Sequence, residues 1–234
     1  MSNVKKPLIQ VRNLRKEYHA GEETVVALKD ISFDIEQGEI CCIFGTSGSG
    51  KSTLLNQLAG LEKPTSGQVL IGNIPISRLS EHDLAIFRQR YLGFIFQSYN
   101  LLGTMTALEN TAMPLMFKGV KKEIREKLAS DLLDIVGLKH RMSHYPKEMS
   151  GGQQQRVGIA RALITKPKIV FADEPTGNLD TKTTFEVMDM ISRFAKKYNQ
   201  TIILVTHEAD LAQYATRVIT IADGEIIDDR KTNS

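Results

Sequence analysis

The segment Gly45-Thr46-Ser47-Gly48-Ser49-Gly50-Lys51-Ser52-Thr53 constrains the fold of this chain more than any other. It fits the pattern G-x-x-x-x-G-K-[ST], a loop that belongs between a strand and a helix. Glycines let the backbone curl until consecutive N–H groups point inward at phosphate oxygens. Lys51 brings a charge to the β- and γ-phosphates, and the Ser52 hydroxyl is placed to ligate Mg²⁺. The flanks agree with this reading. Ile40-Cys41-Cys42-Ile43-Phe44 is a short apolar run that reads as a buried strand. Leu54, Leu55 and Leu58 follow at helical spacing, with Gly60 to stop the helix. Phosphate would sit at that helix's N-terminus, where backbone donors are free. Strand, loop and helix in succession point to an α/β core built around a nucleoside triphosphate.

A second phosphate-transfer element is Ile169-Val170-Phe171-Ala172-Asp173-Glu174. An apolar strand delivers two carboxylates at its C-terminal end, where open α/β sheets bind ligands. Asp173 would hold Mg²⁺ through water, and Glu174 would polarise an attacking water. Taken alone, the run is equally an ordinary strand ending in an acidic turn. Further along, Ser150 can cap a helix that carries Val157, Ala160 and Ile164 inward. Gly151 and Gly152 leave that helix terminus bare enough for a phosphate to approach.

Met149-Ser150-Gly151-Gly152-Gln153 resembles the signature motif of ATP-binding-cassette (ABC) ATPases, with Met149 in place of the usual leucine. Gln153-Gln154-Gln155-Arg156-Val157-Gly158-Ile159-Ala160-Arg161-Ala162-Leu163 continues the family pattern. The resemblance implies that Ser150, Gly151, Gly152 and Gln153 act in trans, on ATP bound by a second subunit. It also assigns roles one by one. Tyr18 resembles the aromatic residue that stacks on adenine. Gln97, in Phe94-Ile95-Phe96-Gln97, matches the glutamine that touches Mg²⁺ and water and leads into a mobile helical region. Asp180, in Gly177-Asn178-Leu179-Asp180, matches the loop that crosses the dimer interface. His207, after the strand Thr201-Ile202-Ile203-Leu204-Val205, matches the switch histidine that contacts the γ-phosphate and holds Glu174 and the water. Residue type alone leaves other readings open: a half-buried strand tyrosine, a polar strand end, a helix cap and a surface histidine.

The resemblance extends from about Leu8 to Asp228. Its subgroup cues point to cassettes serving macrolide-export and lipoprotein-release transporters. These cues are Thr24-Val25-Val26-Ala27-Leu28-Lys29, Ala172 through Asp180, and Leu108-Glu109-Asn110 with Pro114-Leu115. The implied fold is a P-loop NTPase core with a mainly parallel sheet, an antiparallel β subdomain and a helical lobe. One ABC ATPase domain spans 1–234, with core at about 8–97 and 160–228 and lobe at about 98–159. The implied activity is ATP hydrolysis to ADP and phosphate, with ATP and Mg²⁺ bound. The implied partners are a second ATPase subunit, with a homodimer expected, and separate integral membrane permease chains that dock near Gln97 and the lobe. An alternative is a mechanical regulator of a membrane partner, of the cell-division type, which uses the same engine.

Composition narrows this further. The 234 residues are enough for a substantial core. A net charge of +3 gives no reason to expect nucleic acid. Cys41 and Cys42 are adjacent on one strand, should face opposite ways, and fit a reducing cytoplasm. No segment approaches the roughly 20 apolar residues of a membrane helix, and the N-terminus lacks a signal peptide's apolar stretch. The expected location is therefore cytoplasmic, peripheral on the inner face of the cell membrane. Outer strands near Leu8–Leu14, Ile31–Ile35 and Val69–Asn73 should form an antiparallel sheet. Helical spacing at Glu123–Leu128 and Leu132–Val136 marks the lobe, with Gly137 to end it. After the signature, strands at Ile169–Asp173, Thr201–Val205 and Val218–Ala222 alternate with helix, and Asp223-Gly224 signals a hairpin.

Overall fold

Strands that are apolar on both faces must be covered on both faces, and the chain is arranged around that requirement. The computed structural model describes residues 7–21 and 23–232. In chain order the strands are β1 (Pro7–Ala20), β2 (Glu23–Glu36), β3 (Ile40–Phe44), β4 (Ser66–Ile71), β5 (Ile74–Pro75), β6 (Leu92–Phe96), β7 (Ile169–Asp173), β8 (Thr201–Thr206), β9 (Arg217–Ala222) and β10 (Glu225–Lys231). The α-helices are α1 (Lys51–Leu58), α2 (Glu81–Tyr91), α3 (Ala107–Phe117), α4 (Lys122–Ile135), α5 (Gly151–Leu163) and α6 (Thr181–Tyr198).

Six strands form the central sheet in the order β10-β9-β3-β8-β7-β6. All neighbours run parallel except β10, which returns antiparallel to β9. Asp223 and Gly224 make that return with φ of 48° and 77°, the left-handed pair that a tight hairpin turn requires. A second sheet, β2-β1-β4-β5, is antiparallel. It packs on one face of the central sheet together with α1 and α2, through Val11, Leu14, Leu28, Ile35, Leu54, Leu58 and Phe87. The other face is covered by α5 and α6, through Val157, Ala160, Val187, Met188 and Ile191.

Alternation along the central strands divides the core in two. Ile169, Phe171, Ile203 and Val205 belong to the first half, and Val170, Ala172, Ile202 and Leu204 to the second. Cys41 joins the first and Cys42 the second, both as buried free thiols. They point to opposite faces, as their adjacency requires.

The helical layer is formed by α3 and α4 packed against α5. Ala112, Leu115, Ala129 and Ile164 make a small core of their own there. Thr106 and Glu109 form a reciprocal capping box at the start of α3. Asn110, fully buried, accepts from the Leu102 backbone N–H and donates to the carbonyls of Leu102, Met105 and Thr106. The Leu108-Glu109-Asn110 cue therefore caps a helix and pins the loop before it. Gly137, at φ 79°, ends the turn after α4. Helix α5 is continuous from Gly151 to Leu163. Its C-terminal end joins the small core of the helical layer through Ile164, and Val157 and Ala160 pack on the central sheet.

Candidate active site

The strands β3, β8, β7 and β6 are parallel neighbours, so their C-terminal ends share one edge. Their registers align Phe44 with Thr206, Val205 with Asp173, and Asp173 with Phe96. The residues that follow are Gly45, His207, Glu174 and Gln97. Four motifs scattered along the sequence thus arrive at one edge, where ligands bind in open parallel sheets.

The loop after β3 wraps the start of α1. Gly48 and Gly50 have φ of 79° and 102°, in the left-handed region. A Cβ on Gly50 would lie 2.6 Å from the Ala27 carbonyl, and one on Gly45 would collide with the Ile221 carbonyl. These glycines let the loop nest against β2 and β9. Lys51 is 6% exposed, and its Nζ donates to the Thr46 carbonyl at 2.7 Å. The Ser49 hydroxyl is buried without a hydrogen-bond partner among the described residues. Ser47, Gly48, Gly50, Lys51, Ser52 and Thr53 line a cleft of about 450 Å³. Glu174, Val25–Ala27, Lys29, Asp223 and Gly224 complete its lining.

Two acids stand at the end of β7. Burial and the neighbouring Glu174 push the Asp173 carboxyl up from its ordinary range, while Lys51 pulls it down. Glu174 takes a left-handed φ of 43°, a conformation uncommon for a residue with a side chain and concentrated at functional sites. Its backbone N–H donates to the Val205 carbonyl at 2.9 Å. His207 Nδ1 lies 2.9 Å from Glu174 Oε1. The histidine and the carboxylate therefore meet directly.

Gln97 sits at the same edge, with its amide against Gly177. A Cβ there would be 2.6 Å from Gln97 Nε2. Its carbonyl accepts from Asn178 Nδ2 at 3.1 Å. Tyr18 pairs with Val25 on the β1–β2 ribbon, next to the cleft. Asp180 caps α6, accepting from the Thr183 N–H at 3.0 Å and its hydroxyl at 2.7 Å. Those bonds lower its carboxyl below the ordinary range.

Ser150, Gly151, Gly152 and Gln153 lie elsewhere. None of them lines the phosphate-loop cleft; Ser150, Gly152 and Gln153 line a separate concavity of about 560 Å³ with His140, Arg141 and Arg156. Ser150 and Gln153 cap each other reciprocally at the start of α5. Side chains of the same chain also crowd both glycines. A Cβ on Gly151 would lie 2.7 Å from the Tyr99 hydroxyl, and one on Gly152 2.6 Å from Thr183 Cγ2.

Three residues that the motifs did not single out tie these parts together. Gln155, fully buried on α5, donates to the Pro175 carbonyl, one residue past Glu174. Arg161, 8% exposed, donates to the carbonyls of Tyr99 and Asn100. Tyr99 and Asn100 both have left-handed φ, 60° and 48°. Thr183 packs on Gly152. Only the burial of two polar residues distinguishes Gln155 and Arg161, and burial is not written in residue type.

Residues 28–177, more than half of the chain, match the family described as ABC transporter. The chain belongs to the ABC transporter family. This cassette is 46% identical over 222 residues to the lipoprotein-releasing system ATP-binding protein LolD of Geobacter metallireducens, covering 95% of this chain and 99% of that one. It is also 46% identical over 224 residues to the macrolide export ATP-binding/permease protein MacB of Chlorobaculum tepidum. There the match takes in 96% of this chain but 34% of the relative, so the cassette spans about a third of that protein's length. Among solved structures, the ATP-binding cassette MJ0796 of Methanocaldococcus jannaschii, in a dimeric post-hydrolysis state bound to ADP and Pi, is similar at a TM-score of 0.90 and 40% identity. That match covers 97% of this chain and 99% of the other.

Proposed function

We propose that this cassette is the ATP-hydrolysing subunit of an ABC transporter of the macrolide-export and lipoprotein-release subgroup, closing as a dimer around two ATP molecules to drive separate permease chains. The observation that carries the proposal is the split of the site. Lys51, Ser52, Asp173, Glu174 and His207 gather at one sheet edge, while Ser150, Gly152 and Gln153 face a different concavity of the same chain. This split supports a reading in which a nucleotide held by the loop of one copy meets Ser150–Gln153 of another.

In this reading Gly45–Thr53 cradle the phosphates through backbone N–H groups and the Lys51 ammonium. Tyr18 stacks on the adenine. Glu174 polarises the attacking water, and His207, already against Glu174, orients both and reaches the γ-phosphate. Ser52, Gln97 and Asp173 supply hydroxyl, amide and carboxylate oxygens, a hard donor set that suits Mg²⁺. Among the described residues no cluster of three or more His, Cys, Asp or Glu is placed to hold a metal. A bound ion would be held by Ser52, Gln97 and Asp173 together with the nucleotide phosphates. When bound, it neutralises charge on the transferring phosphoryl group.

ATP favours the closed dimer because it contacts both surfaces, and hydrolysis with phosphate release removes those contacts. Asp180 stands at the crossing loop between the copies. Among the described residues no helix is long and apolar enough to cross a membrane. The cassette would work at the inner face of the cell membrane against permease helices docked beside the helical layer. An apolar groove of about 480 Å³, lined in part by Phe94, Phe96, Met113 and Phe117, supports docking there.

The test is size-exclusion chromatography of Glu174→Gln with and without ATP. A monomer that becomes a dimer only with ATP is the expected result. A chain that binds ATP and stays monomeric at every concentration would refute the sandwich for this chain alone.

A further inference from the structure

Tyr18 is held by a network that the nucleotide motifs do not include. Its hydroxyl donates to Glu62 Oε2 at 2.6 Å. The same hydroxyl interacts with the Thr53 side chain, the last residue of the phosphate loop. Glu62 is itself fixed: Asn56 Nδ2 donates to its other oxygen, Oε1, at 2.9 Å. Lys16 Nζ lies 3.5 Å from Glu62 Oε2 and 5.0 Å from the centre of the Tyr18 ring, so it covers one ring face. Lys16 is anchored in turn by the Lys63 carbonyl at 2.9 Å. Tyr18 remains 39% exposed beside Val25, a residue of the cleft wall.

Partial burial works against the Glu62 charge, yet the bonds from Tyr18 and Asn56 and the nearby Lys16 hold its carboxyl below the ordinary range. The Tyr18 hydroxyl is pushed the other way, up, by burial and by its bond to Glu62. An ionised acceptor thus grips a neutral donor, the stronger kind of hydrogen bond. An exposed tyrosine on a strand would otherwise sample several rotamers, and ordering it on binding would cost affinity.

We propose that Glu62 is a positioning residue for the nucleotide base: it locks the Tyr18 ring, through its hydroxyl, at a fixed place relative to Thr53 and the phosphate loop. Asn56 and Lys16 keep Glu62 in place, and the free ring face takes the adenine. This rests on the reading of Tyr18 as the adenine platform. The base and the phosphates are then held by one rigid unit, because Thr53, Asn56 and Glu62 all belong to α1 or the turn after it.

The experiment is steady-state ATPase kinetics on the full chain for Tyr18→Ala, Tyr18→Phe, Glu62→Ala and Glu62→Gln, with inorganic tripolyphosphate as a competing ligand that has no base. Glu62→Ala and Tyr18→Phe should each raise KM for ATP about threefold to tenfold, because either change frees the ring without removing it. The change in kcat should be smaller than the change in KM. Glu62→Gln keeps an acceptor oxygen and should restore most of the loss. Inhibition by tripolyphosphate should be the same in all four variants. If Tyr18→Ala raises KM while Glu62→Ala does not, the platform reading stands and Glu62 has no part in it. If neither moves KM, the platform reading fails and takes this proposal with it. If Glu62→Ala weakens tripolyphosphate as much as ATP, Glu62 supports the phosphate loop and the proposal is overturned.

Discussion

Lys51 shows how closely residue type, burial and role are joined in this cassette. Its ammonium is nearly buried, with the Thr46 carbonyl as partner and Asp173 close by. A cation so placed is poised to exchange a backbone carbonyl for phosphate oxygens. Lys51→Ala should lower ATP turnover by about 100-fold or more, the scale set by removing one preorganised charge donor from a transition state. Far-UV circular dichroism should be unchanged, since α1 keeps its Leu54 and Leu58 packing. Wild-type turnover in that variant would remove Lys51 from the site. Gly45 makes the opposite point. Gly45→Ala should fail by folding, because the added methyl meets the Ile221 carbonyl; a melting temperature equal to the parent's would contradict that contact. At this scale the sequence is most readable where chemistry fixes both type and spacing, as in Lys51, Ser52, Asp173 and Glu174. Glu62 and Arg161 carry no such mark, because what each holds arrives from a distant part of the chain.

Helix α5 is the element on which the two surfaces of the molecule depend together. Its first turn presents Ser150–Gln153, and its second turn sends Gln155 to the carbonyl beside Glu174. Gln155→Leu leaves that carbonyl buried without its donor, at a cost of about 1–3 kcal/mol. For a chain of this length each kcal/mol lowers the melting temperature by roughly 2–4 °C. Turnover should also fall, because the peptide after Glu174 loses its tether, while KM for ATP stays near the parent value. A drop in stability with turnover unchanged at a temperature where the variant is folded would show that the bond is only structural. Most elements were legible from pattern: β3, β7 and β8 as apolar runs, α4 by spacing, and the β9–β10 turn by Asp223-Gly224. Helix α2 was not, because only Leu84 and Phe87 are buried along its eleven residues, too few to print a periodicity. Helix α3 contains Pro114, a residue that usually argues against a helix interior. Its capping box and Asn110 hold it nonetheless.

The whole molecule consists of two half-cores divided by one sheet, each closed by different elements. Phe171 is the largest fully buried side chain in the sheet-side half. Phe171→Ala should cost about 3–5 kcal/mol, read as a lower denaturant midpoint. Its neighbours on the other face, Val170 and Ala172, belong to the helical side, so that side should loosen less. The adjacent thiols offer a way to watch this. Burial pushes both up, Cys42 to about 12, so neither reacts as a thiolate in the closed fold. A probe should label Cys41 when the half-core of the antiparallel sheet, α1 and α2 opens, and Cys42 when the half-core of α5 and α6 does. One dipeptide on the central strand is thus a pair of clocks, each timing the opening of its own half of the protein.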